Sequence, residues 1–143
     1  MTALIPGTKL SHGTIECEDC LTSRRFYQEF LGLGSVRPLA EAQYLWNGGP
    51  WSVVCVAIGD QPKPQGRENR FALRVATAAE VDAAREAALA SREKYDIREI
   101  TEITEANGIR SFCLWDLDGT WWEITNATAA YYDDVFLRGD VAV

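Results

Sequence analysis

The chain has 143 residues, a formal net charge of -7 and 47% hydrophobic residues, which suits one domain or two small packed modules with a real core. Its 14 basic residues are scattered, and this excludes the basic stripe of a nucleic-acid-binding protein. No run approaches the roughly 18 apolar residues of a membrane span, and no signal-peptide profile is present, so we expect a soluble cytoplasmic protein without membrane or nucleic-acid partners.

The first half of the chain predicts a strand, a helix and three further strands. Alternating residues predict a strand at 9–17, and an Asp19 cap and Gly32 bound a predicted helix at 19–33. Three strand-like runs follow, at 35–38, 41–46 and 51–58. Residues 59–68 include the run GDQPKPQG, whose prolines and glycines predict a linker.

The second half predicts the same order of elements. Residues 69–76 form a predicted strand, and a Thr77 to Glu80 capping box opens a predicted helix at 77–95. Strands are predicted at 97–103, 109–115 and 121–125. Residues 127–143 lie outside the repeat as a tail with a short apolar segment, which we expect to dock over a ligand cleft or on a second subunit.

A constant offset supports a duplication. Arg70 follows His12 by 58 residues, and Thr77 follows Asp19 by the same number. The sequence therefore predicts an α+β fold with two βαβββ modules, at 9–58 and 69–126, whose sheets enclose a common cleft. Such a cleft is where a ligand would bind.

Strand alternation predicts that polar side chains share the face that lines this cleft. The sets are His12, Thr14 and Glu16, then Arg70, Ala72 and Arg74, then Trp121, Glu123 and Thr125. If the three strands are neighbours, His12, Arg70 and Glu123 meet in one place.

Several stretches resemble the vicinal oxygen chelate superfamily, which includes glyoxalases, extradiol dioxygenases and bleomycin-resistance proteins. They are FYQEFLGL, RFALRV and RSFCLWDLDGTWWEI, and the most specific is the Asp-x-Asp-Gly-x-x-x-Glu run from Asp116 to Glu123. The resemblance covers residues 9–126. It implies a single domain in which two βαβββ modules form a half-open mixed-sheet barrel around a central cleft, and it implies a homodimer.

In metal-using members of this superfamily, two histidines and a glutamate hold the metal. His12 and Glu123 match the first and last ligands, but Arg70 occupies the middle position. A guanidinium is always protonated and offers only donors, so it cannot be a ligand. The residues therefore favour a site without a cofactor, and iron or manganese held by His12 and Glu123 is the alternative.

The predicted roles follow from this departure. Arg70 can pair with Glu123 in a two-bond fork, and in an enzymatic version His12 is the general base while Arg70 stabilises an oxyanion. Thr14, Arg74 and Trp121 are the predicted substrate-binding residues.

The expected function is binding of a small, aromatic or anionic organic molecule, and if the protein is also an enzyme, the resemblance implies a dioxygenase or lyase. The alternatives are a metal-dependent extradiol-type dioxygenase or lyase with a reduced ligand set, and a sequestering protein of the bleomycin-resistance type.

The run CEDC at residues 17–20 is formally a C-x-x-C pair at a strand-to-helix corner. Cys55 and Cys113 are isolated, so no zinc ligand set is apparent. We expect Cys17 and Cys20 to be two buried small residues.

Overall fold

A computed structural model describes residues 2–141 of the chain, so the last two residues of the predicted tail lie outside the described part. The first half contains the predicted strand, helix and three strands. These are β1 (His12–Cys17), α1 (Cys20–Arg25) with a π-helical turn at Phe26–Phe30, β2 (Gly34–Leu39), β3 (Ala42–Trp46) and β4 (Ser52–Ala57). The sheet has the order β1-β4-β3-β2, in which only the β1–β4 pair is parallel.

The second half repeats this arrangement. Its elements are β5 (Arg70–Arg74), α2 (Ala78–Ala90), β6 (Glu99–Ile100), β7 (Thr104–Ala106), β8 (Ile109–Trp115), β9 (Trp121–Thr125) and α3 (Ala129–Arg138). The order is β5-β9-β8-β6, with β5 parallel to β9 and β7 also paired to β8. The predicted α+β class with two βαβββ modules is confirmed.

The chain divides into two compact units, one ending at Lys63 and the other beginning at Pro64. This boundary lies inside the segment 59–68. No helix within residues 2–141 has both the length and the hydropathy needed to cross a membrane.

Two elements differ from the prediction. The strand predicted at 97–103 is reduced to β6, and β7 lies beyond the predicted range, because Thr101 interrupts the ladder with its side chain. Its amide donates to the Cys113 carbonyl at 2.9 Å, and its hydroxyl accepts from the Cys113 amide at 2.8 Å. The tail contains the helix α3, which begins where the Thr128 hydroxyl accepts from the Tyr131 amide.

In the first unit, α1 covers one face of the sheet. The helix begins at Asp19, whose carboxylate accepts from the Thr22 amide at 2.8 Å. Gln43 is fully buried beneath it, donates to the Cys20 carbonyl at 3.0 Å and accepts from the Ser35 hydroxyl at 2.8 Å. These contacts satisfy the buried amide and fix α1 over β3, so α1 itself covers only one of the two sheet faces.

The C-x-x-C pair is part of this core. Cys17 and Cys20 are both buried, and their sulfur atoms lie 4.0 Å apart. Burial raises the pKa of the Cys20 thiol to about 11. The expectation of two buried small residues is confirmed, and a neutral thiol at this depth is a poor nucleophile.

In the second unit, α2 packs on β8 and β9 through Val81 and Ala88, which are fully buried. The side chains beneath the helix include Phe112, Leu114 and Trp122. Because side chains alternate along each strand, the residues between these point to the other face of the sheet. That face is the one on which the sequence placed Arg70 and Glu123.

Candidate functional site

The central contact of the site joins Arg70 on β5 to Glu123 on β9. The two strands are parallel neighbours, with Arg70 opposite Trp121 and Ala72 opposite Glu123, so the arginine reaches diagonally along its own face. Its Nε lies 2.8 Å from Glu123 Oε1. The Arg70 side chain is 34% exposed and that of Glu123 is 17% exposed, so the contact is only partly screened by solvent.

The guanidinium is held at one end and free at the other. A single bond joins it to Glu123, in place of the expected two-bond fork, because Nη1 turns towards the Arg67 carbonyl at 3.3 Å and the Glu68 carboxylate at 3.5 Å. Within residues 2–141, Nη2 has no hydrogen-bond partner. The bond to Glu123 raises the pKa of Arg70 above its ordinary value, so the group stays charged.

Cys113 belongs to this face, although it was not among the predicted site residues. It lies directly opposite Glu123 in the β8–β9 ladder and is half-buried. Burial, followed by the Glu123 charge, raises the pKa of its thiol. The signal that could have found it is its spacing of two residues from Trp115, which puts both side chains on the same face of β8.

Trp121 lies inside an aromatic stack. Its ring is parallel to that of Trp115 at a centroid distance of 5.4 Å, and the Arg67 guanidinium lies 5.9 Å from its centre. The Arg98 guanidinium covers Trp115 in the same way at 5.3 Å. Trp121 is only 5% exposed and donates to the Gln65 carbonyl at 3.1 Å. Because so little of its ring is accessible, Trp121 can offer a substrate only a small contact area, and its predicted role in substrate binding is limited to that area.

The turn Asp116–Thr120 is structural. Asp116 is fully buried, and one carboxylate oxygen accepts from the Asp118 and Thr120 amides at 2.8 Å and 3.0 Å. The other accepts from the Trp122 indole at 2.9 Å. Burial raises the pKa of this carboxyl group to about 6. The turn fixes the start of β9 and thereby the position of Glu123, which explains the spacing of the acidic run.

The remaining predicted residues lie towards the surface. His12 and Thr14 are on β1 of the first unit, and the His12 Nδ1 is 3.1 Å from the Ser11 hydroxyl. Arg74 is on β5, two residues from Arg70 and on the same face. The structure brings Arg70 and Glu123 together within one unit. The meeting of His12 with that pair stays a prediction.

The donor set does not fit the metal site that the resemblance implies. The chain has one histidine, so two imidazole ligands cannot be supplied. Glu123 is bonded to a guanidinium, whose charge opposes a dication beside it. No group of three or more His, Cys, Asp or Glu side chains suited to a metal ion occurs in the described part of the chain.

The two matched βαβββ units define a glyoxalase-like class of fold, and comparisons with solved structures agree. The fosfomycin resistance protein FosX from Listeria monocytogenes superposes with a TM-score of 0.67 at 17% identity, over 87% of this chain and 97% of that one. Lactoylglutathione lyase from Agrobacterium tumefaciens gives 0.59 at 15% identity, over 85% and 95%. An integron cassette protein from the Halifax Harbour sewage metagenome gives 0.64 at 20%, over 86% and 100%.

These structures have the vicinal oxygen chelate fold, and the predicted resemblance to that superfamily is confirmed at the level of fold. No protein-family model matches the chain, and no curated protein matches its sequence.

Proposed function

We propose that the protein binds a small, partly aromatic organic anion through Arg70 and does so without the metal site of its metal-using structural neighbours. The observation that carries the proposal is the guanidinium held at Nε by Glu123 while Nη2 is left without a partner in the described residues. A fixed donor of this kind can bind a carboxylate, phenolate or phosphonate oxygen without first reorganising.

The surroundings strengthen the anion preference. Arg74 lies on the same face, is exposed and has no ion pair within residues 2–141. Glu123 and the exposed Glu68 offset the charge of Arg70, so a further cation is needed for an attractive field, and Arg74 supplies one. A FosX variant has been solved with manganese and a small phosphonic acid, which supports an anionic ligand class for this fold.

Binding and catalysis use the same residues in this proposal. In the catalytic form, His12 removes a proton from the ligand, Arg70 Nη2 stabilises the negative charge that this leaves on a ligand oxygen, and Glu123 keeps the guanidinium in place. In the sequestering form, the same contacts hold the ligand unchanged. Incubation with a bound ligand, followed by chromatography for its consumption, separates the two forms.

The binding test uses benzoate and phenylphosphonate, measured by isothermal titration and thermal shift. We expect Arg70→Met to weaken binding at least tenfold, because a charge-assisted hydrogen bond contributes about 1.5–3 kcal/mol. Arg138→Met is the matched control, since its Nε also donates to a carboxylate, that of Asp134, at 2.9 Å. No binding of either anion, or equal losses in the two variants, would contradict the proposal.

A further inference from the structure

The first unit contains a cavity of about 360 Å³ on the sheet face that α1 leaves free. Its walls come from β2, β3, the loop between β3 and β4, and the first residue of β4. They include Val36, Tyr44, Trp46, Trp51 and Ser52. The volume lies within the range of about 300–1,000 Å³ typical of small-molecule sites.

The walls of this cavity are uncharged and include three aromatic side chains, those of Tyr44, Trp46 and Trp51. Tyr44 and Trp46 are alternate residues of β3, so both rings project from the same face, and Val36 lies directly opposite Tyr44 on β2. None of the nine lining residues is charged, although 24% of the chain is. An anion would lose hydration in this cavity and gain no counter-charge.

Three of the large apolar side chains that line the cavity are exposed. Tyr44 is 42% exposed, Trp46 is 55% exposed and Val36 is 63% exposed. The Trp46 indole N–H donates to the Gly49 carbonyl, so its polar atom is satisfied and the ring is held in position. Trp46 therefore presents the faces of its ring, and not its N–H group, to a ligand.

We infer that this cavity, whose lining residues all belong to the first unit, binds a neutral planar aromatic molecule of one or two rings. An apolar cavity of about 150 Å³ accommodates benzene, so a two-ring molecule fits here with space for a polar substituent. Ser52, which lies opposite His12 in the β1–β4 ladder, offers a hydroxyl to that substituent.

The test titrates the protein with indole and with indole carboxylate at neutral pH, by isothermal titration and by the shift of the Trp46 indole resonance. Indole should bind with one-to-one stoichiometry and move that resonance. Tyr44→Leu and Trp46→Leu should each raise its dissociation constant at least fivefold. The control is Tyr132→Leu, which removes a tyrosine that is 50% exposed on α3 and should leave indole binding unchanged.

The Arg70→Met variant separates binding of a neutral ligand in this cavity from binding of an anion at Arg70. Indole should bind to it as tightly as to the parent protein, and indole carboxylate should bind to it at least fivefold more weakly than indole. Failure of the anion proposal would appear only in the benzoate and phenylphosphonate titrations. This inference is overturned if indole does not bind, if neither Tyr44→Leu nor Trp46→Leu weakens it, or if those variants change only self-association.

Discussion

Position 70 determines what the carboxylate of Glu123 can bind. With arginine there, Oε1 accepts a hydrogen bond from a permanent cation at 2.8 Å. With histidine there, the same oxygen would face a neutral imidazole and would be free to join it as a metal ligand. One residue type therefore separates two chemistries on the same strands.

Arg70→His should raise manganese affinity at least tenfold, because it removes the opposing charge and adds an imidazole beside Glu123. Titration of the metal-free protein with manganese chloride, followed by calorimetry, measures the change. Arg74→His is the control, since it adds an imidazole to the same strand face opposite Thr125. Equal affinity in both variants would contradict the proposed role of position 70.

Much of the charged face could be predicted from the sequence. Alternation places Arg70 and Glu123 on one face of their strands, and the pairing of those strands, which was a condition of the prediction, is observed together with the contact. The covering of Trp121 could not be predicted, because Arg67 lies in a segment without periodicity and its direction depends on tertiary packing. Cys113 was missed because an isolated cysteine carries no motif.

At the scale of elements, the Asp116–Thr120 turn is held by Pro64 and Gln65, a strap of chain that precedes β5. The Gln65 amide donates to the Gly119 carbonyl at 3.0 Å. Gly119 has a φ of +85°, and a Cβ there would lie 3.0 Å from Pro64 Cα and 3.2 Å from Arg98 Nη1. Backbone conformation and close approach therefore both require glycine.

Gly119→Ala should destabilise the protein more than Gly108→Ala. Gly108 has a φ of +77°, but a methyl group there would meet no atom within 4 Å, so this variant measures the backbone strain alone, about 1–2 kcal/mol. Gly119→Ala should cost about 1–3 kcal/mol more, from overpacking against Pro64. Urea unfolding measures both free energies. Equal losses of unfolding free energy in the two variants would mean that Pro64 moves away from the added methyl group without an energetic cost, which would contradict this prediction.

The strand predicted at 97–103 shows the limit of local patterns for elements, because only Glu99 and Ile100 pair with β8 there and β7 begins beyond it. Its three isoleucines and Thr101 favour a strand, yet Thr101 bonds to Cys113 through both its amide and its hydroxyl. That choice depends on a residue twelve positions away, which no local propensity encodes. The tail helix α3 was missed for a different reason, because it lies outside the repeat from which the other elements could be predicted.

At the scale of the whole molecule, the two units have similar strand orders and different chemistry. The free sheet face of the first carries Tyr44 and Trp46, and that of the second carries Arg70 and Glu123. The exposed helix α3 adds a third surface. None of its side chains is buried, and Phe136 and Leu137 are 85% and 87% exposed.

Removal of residues 129–143 should lower the thermal midpoint by less than about 3 °C, since little apolar area leaves the core. We propose a homodimer in which α3 contributes to the interface, so the shortened chain should be monomeric by light scattering where the full chain is dimeric. Phe136→Ser should have the same effect on mass. A large loss of stability, or an unchanged mass in both variants, would contradict this role.

The attachment of Arg70 to the backbone has a consequence for the cell. A guanidinium cannot be removed by a chelator, replaced by a wrong ion or depleted by starvation for trace elements. If the proposed anion binding is correct, ligand affinity is the same in EDTA as in buffer that contains manganese, and the protein works wherever metal supply fails.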